Sequence, residues 1–181
     1  HIWHVDYIRK KYKGVRFILI TRGAQDVIAS LYKRRINKSL DSLISCIARY
    51  QDDSIWTIRQ KGNKDTIIVK YEDFILNPKK VLTKIFKFMN LKYEDSVMNY
   101  HNNKIDWNGQ TKLIKTDGLG EKNHDLLRNW QVNQRIYRKK ISWNKIIPKK
   151  YHYYVDHFMK DKGNRIMKKL GYKNIDVFYK K

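Results

Sequence analysis

From His1 to Tyr12, apolar residues fall at Ile2, Val5 and Ile8, with Trp3 and Tyr7 beside them, before a polar stop at Lys13 and Gly14; this spacing predicts a helix. Val15 to Thr21 is then nearly continuously apolar, the pattern of a strand covered on both faces by helices. Asp26 is placed to cap a following helix that runs to about Arg34. Over Ser39 to Gln60, Leu40, Leu43, Ile44, Ile47, Ala48 and Ile55 recur at helical spacing, and Gly62 with Asn63 ends the run. Thr66 to Tyr71 is a second β-branched run between turn residues, hence a strand. Asn77 and Pro78 open another helix, with Val81, Ile85 and Phe88 on one face and Leu82, Phe86 and Met89 beside them.

Beyond this point the pattern weakens. Residues 100 to 135 are polar, with "DGLGEKNHD" in the middle, and read as a long loop. A last helix is predicted from Pro148 to Leu170, closed by Gly171. The order strand, helix, helix, strand, helix implies parallel strands joined by crossover helices, so an α/β fold in one domain over residues 1 to 181. Two strands are few for a parallel sheet, and the first element starts at the first residue, so a preceding strand and helix are expected to be missing from the chain. An unpaired edge or an uncovered core face is the expected consequence.

Composition adds three constraints. No apolar run reaches the roughly 18 residues of a membrane span, and no leader pattern is visible, so the expectation is a soluble, cytoplasmic domain. Cys46 is the only cysteine, which excludes an internal disulfide and a cysteine-based zinc cluster. Forty Lys and Arg against 17 Asp and Glu give a net charge of +23, a field that concentrates anions. A chain also rich in Ile, Asn and Tyr gains lysines from an AT-rich genome, so the excess is not by itself a binding site.

Candidate chemistry sits where strands end. Ligands of open α/β sheets bind beyond the carboxyl ends of the strands. Arg22 lies at one such end, and Ser30 follows eight residues later on the next helix. A guanidinium fork and a hydroxyl near a helix start can clamp a phosphate. The same spacing also fits an arginine capping carbonyls and a serine on a solvated face. Tyr71 ends the second strand, where its ring can take a stacked base or pack into the core. Glu72 and Asp73 can act as acid and base, or cap the next helix and anchor the arginine loop.

Three segments in order resemble one family. "RFILITRGAQDVIASLYKR" resembles the 3′-phosphate-binding segment of the PAPS-dependent sulfotransferases, and "VKYEDFILNPKKVLTKIFKFMNL" their second signature. "WQVNQRIYRKKISWNKIIPKKY" followed by "MKKLGY" is similar to the closing segment of the tyrosylprotein and bacterial branch. The resemblance implies a P-loop-like, three-layer fold with a parallel sheet flanked by helices, and sulfuryl transfer from PAPS to a hydroxyl acceptor without a metal. It implies further that Arg22 and Ser30 hold the 3′-phosphate, that Arg34 adds a contact, that Tyr71 lies on the adenine side, and that Asn133 belongs to a loop closing over the nucleotide. Trp143 matches a tryptophan whose preceding lysine binds the phosphate in that branch. Ser142 stands there instead, which passes that role to Lys139 or Lys140.

The turn Gly23-Ala24-Gln25 departs from the family's usual residues after the arginine. No Gly-rich loop for the 5′-phosphosulfate is present, since "DGLGEK" at 117 to 122 follows no strand and opens no apolar helix. The family's loop lies upstream of the position of His1, so the chain is expected to be the C-terminal part of a sulfotransferase. His1 is the candidate base, because the cytosolic branch of the family has a histidine at about that distance before its arginine. The acceptor is left as a carbohydrate, a protein tyrosine or a small molecule, with an acidic context suiting the basic chain. The alternative is a basic nucleic-acid-binding module with interleaved Tyr and Trp, against which stands the even spread of the basic residues.

Overall fold

The computed structural model describes residues 2–102, 104–109, 112–116, 118, 121–136 and 142–173. These fall into two compact units, one from the described residues of 1–71 and 141–181, the other from those of 72–140.

In the first unit a 3₁₀ turn leads into α1 (Val5–Lys11), followed by β1 (Phe17–Thr21), α2 (Ala24–Lys33), α3 (Leu40–Arg59) and β2 (Thr66–Lys70). The strands pair in parallel from Phe17 against Thr66 to Thr21 against Lys70, with α2 and α3 as the crossover. The α/β reading therefore holds, with two parallel strands among the described residues. Ser39 caps α3, its hydroxyl accepting the Ser42 N–H at 3.2 Å. The cap of α2 is Gly23 rather than Asp26, because Asp26 lies inside the first turn and serves a different partner described below.

The core is made largely by helices. Ala24, Ile28, Ala29 and Tyr32 of α2 meet Leu43, Cys46 and Tyr50 of α3, and the closing helices complete the cluster. Those helices are α7 (Trp143–Ile146), α8 (His152–Phe158) and α9 (Asn164–Lys169), the last two joined by a π-turn at Met159–Gly163. The helix predicted over Pro148 to Leu170 is present: a 3₁₀ turn at Lys149–Tyr151, α8, the π-turn and α9 follow one another without leaving helical backbone. Gly171 (φ +92°) ends α9 in a left-handed conformation, with the Tyr172 N–H bonded to the Met167 carbonyl and the Lys61 ammonium to the Lys169 carbonyl.

The sheet is not covered on both faces as the apolar run predicted. Ile18 is 40% and Ile20 70% exposed, whereas their register neighbours Ile67 and Val69 are buried. β1 has β2 on one side and no other strand beside it among the described residues, so its edge and part of one face are open.

At the amino ends of the strands, Arg9 ties α1 to the entry of β2. Its Nε donates to Asp65 at 2.5 Å, Nη1 to Asp6 at 2.6 Å and Nη2 to the Gln60 side chain at 2.8 Å. The hydrogen bond from Arg9 holds the Asp65 carboxyl below the usual carboxylate range. A carboxyl so shifted stabilises the fold above its unfolded pKa of about 4, and the contribution fades as pH falls through the lower folded value. Arg9→Met is therefore expected to cost about 1–2 kcal/mol at neutral pH. Thermal unfolding should show the gap from wild type closing below about pH 4.

The second unit holds most of α4 (Tyr71–Leu76), α5 (Pro78–Phe88) and α6 (Glu121–Val132). Pro78 at the first turn of α5 meets the expectation for that helix. Tyr71 opens α4 instead of ending the strand. The 100 to 135 loop is corrected as well: α6 occupies Glu121–Val132. Among the described residues no helix is long and apolar enough to cross a membrane.

Candidate functional site

Register explains the first contact of the site. Thr21 pairs with Lys70, so the next residue on each strand, Arg22 and Tyr71, leaves the sheet side by side. The Arg22 guanidinium lies over the Tyr71 ring, 4.6 Å from its centre. Such a cation–π contact is worth about 0.5–2 kcal/mol and fixes the plane of the fork. From the other side, Arg22 Nη2 donates to Asp26 at 2.7 Å, with the two side chains 21% and 15% exposed. Asp26 is thus the residue that aims Arg22, a role the cap reading missed; its signal in the sequence is the Arg-to-Asp spacing of four.

The guanidinium is held but not saturated. Its Nε is shielded from solvent and has no hydrogen-bond partner among the described residues. An orphaned donor of this kind fits an anionic oxygen, since an N–H of arginine can only donate. Thr21, immediately before it, likewise holds a buried hydroxyl oxygen with no partner among the described residues.

Ser30 follows Asp26 by four residues on α2, and Arg34 follows Ser30 by four at the helix end. Residues at this spacing share a face, so Asp26, Ser30 and Arg34 form one stripe. Ser30 is half-buried, and Arg34 is exposed. Trp143 begins α7, which packs on α2. Its ring lies 4.8 Å from that of His152 and against the core, while His152 Nε2 is 2.8 Å from the Ile147 carbonyl. Trp143 is therefore a packed wedge next to the Ser30 helix.

Asn133 belongs to the second unit, where its amide donates to the Ile105 carbonyl at 2.8 Å and accepts from the Ile105 N–H at 2.8 Å. One turn earlier, the fully buried Asn129 accepts the Trp107 N–H at 2.9 Å and donates to the Lys112 carbonyl at 3.0 Å. Glu72 and Asp73 lie in the first turn of α4. His1, Lys139 and Lys140 lie outside the described residues. A cavity of about 320 Å³ opens at the other end of the strands, lined by Arg9, Tyr12, Lys13, Arg16, Lys64 and Asp65. It surrounds the Arg9 tie and takes in none of the strand-end residues.

A model of the sulfotransferase family matches residues 1–95, a span that takes in Arg22, Ser30, Arg34 and Tyr71 and ends before Asn133 and Trp143. The chain is also similar to protein-tyrosine sulfotransferase 1 of Danio rerio, at 23% identity over 118 residues, which is 62% of this chain and 33% of that protein. It thus spans about a third of the length of the curated relative it matches.

Proposed function

The chain belongs to the sulfotransferase family, and from that premise we propose that its strand-end cluster binds the 3′-phosphate of PAPS in a protein that sulfates a hydroxyl acceptor. The observation that carries the reading is Arg22: a guanidinium stacked on Tyr71, aimed by Asp26, and left with a buried Nε–H that has no partner among the described residues. In this reading Ser30 donates its hydroxyl to the same phosphate and Arg34 adds charge from the same face of α2. Tyr71 acts through its grip on Arg22 and lends its free edge to the adenine side. Trp143 keeps α7 against α2, and Lys139 or Lys140 supplies a further cation to the phosphate. Asn133 serves by fixing the backbone at Ile105.

PAPS supplies the sulfuryl group and leaves as adenosine 3′,5′-bisphosphate. In-line transfer needs an oriented acceptor hydroxyl, a base for its proton and cations over the moving group. His1 is our candidate for that base. The open edge of β1, with Ile18 and Ile20 uncovered, supports a further parallel strand seated there, carrying the loop for the 5′-phosphosulfate in a three-layer, P-loop-like sheet. The charge of +23 favours acidic acceptors, and the name of the similar protein favours a tyrosine among the hydroxyls.

Calorimetric titration of the chain with adenosine 3′,5′-bisphosphate and with AMP tests this. A preference for the bisphosphate of at least tenfold, kept when salt is raised, is expected. Equal and steeply salt-dependent binding of both would instead mark general attraction to a basic surface and favour nucleic acid as the partner.

A further inference from the structure

Resting on that reading, we propose that Thr21 is a further ligand of the nucleotide phosphate, its hydroxyl acting with the Arg22 Nε–H on one anionic group. Thr21 ends β1 and is 7% exposed. Its Oγ1 and the Arg22 Nε are both shielded from solvent and both without a partner among the described residues. Two consecutive residues at the carboxyl end of a strand thus each bury a polar atom unpaired.

Such burial opposes folding, because a hydroxyl taken from water without a replacement bond loses its hydration for nothing. Valine has nearly the shape of threonine and would avoid the loss. Elsewhere in the unit a comparably buried threonine is satisfied: the Thr57 hydroxyl donates to the Asp53 carbonyl at 2.8 Å. The unsatisfied pair therefore sits at the one end of the sheet where ligands of this architecture bind. The two atoms also agree on what they want. Arginine Nε only donates and the threonine hydroxyl can turn to donate, so an oxyanion satisfies both while a cation or an apolar group satisfies neither.

The site then trades stability for binding, and the two effects have opposite signs in a single variant. Thr21→Val should unfold at the same temperature as wild type or higher in the absence of nucleotide, yet bind adenosine 3′,5′-bisphosphate about tenfold more weakly. Thr21→Ser, which keeps the hydroxyl, should bind within about threefold of wild type. Titration of the full chain and of Thr21→Val, Thr21→Ser and Arg22→Met with the bisphosphate, beside thermal unfolding of each, reads both quantities. Full affinity in Thr21→Val with loss in Arg22→Met overturns the role of Thr21 and leaves the phosphate site standing. Full affinity in both variants, or no binding by wild type, overturns the phosphate site and the role of Thr21 with it. A Thr21→Val chain that unfolds at lower temperature would show the hydroxyl to be satisfied within the protein, and that too overturns the proposal.

Discussion

Arg22→Met should lose about a hundredfold in affinity for adenosine 3′,5′-bisphosphate, because truncating one partner of a desolvated charge pair costs about 2–5 kcal/mol. Three features put the effect at the upper end of what a single arginine gives. The side chain is about four-fifths covered, so the field of its charge is weakly screened by water. It is already oriented by the Tyr71 ring and the Asp26 carboxylate, so little side-chain entropy is lost on binding. Its buried Nε–H has no partner among the described residues. Arg22→Lys keeps the charge but replaces a planar fork with a point donor, and should recover only part of the loss, to about tenfold below wild type. AMP, which lacks the 3′-phosphate, should bind the wild type and both variants alike. An Arg22→Met chain that is folded by circular dichroism and still prefers the bisphosphate would remove Arg22 from the site.

What the sequence made legible depended on where local chemistry and packing agree. Ser39 and Pro78 mark helix starts by mechanisms that need only neighbouring backbone, and the structure uses both. Arg22 after an apolar run was readable as the end of a strand for the same reason. A carboxylate at a helix start suggests a cap by default, yet Asp26 lies in the first turn of α2 and its spacing of four from Arg22 brings the two together. The open face of Ile18 and Ile20 was invisible because an apolar run reports what a strand can bury, not what neighbours it has. Thr21 gives a faint signal, one hydroxyl closing a run of aliphatics, but that it has no partner among the described residues is a property of the fold alone. The pairing of Tyr71 with Arg22 follows from strand register, which spacing along the chain does not contain.

The helix α6 was the largest miss, and the reason leads to a second strong expectation. A polar stretch with Asn123, His124 and Asn129 has poor helix propensity and no broad apolar stripe. The segment is held instead by side-chain amides that satisfy backbone groups of Ile105, Trp107 and Lys112. Asn129 is the hub: fully buried, it accepts from Trp107 and donates to Lys112, and it touches Asn133 at 3.4 Å. Asn129→Ala leaves one backbone N–H and one carbonyl without that partner, and is expected to cost about 2–4 kcal/mol. Asn129→Asp should also destabilise at neutral pH, because a carboxylate can accept from Trp107 but cannot donate to Lys112, and buries a charge. Asn133→Ala, at a less buried position, should cost about 1 kcal/mol. Hydrogen exchange separates the two amides: protection of the Trp107 N–H should fall most in the two Asn129 variants, and protection of the Ile105 N–H, whose acceptor is Asn133, should fall in Asn133→Ala. If Trp107 exchanges at the wild-type rate in Asn129→Ala, the segment is held by its apolar contacts and the amide stitching is incidental.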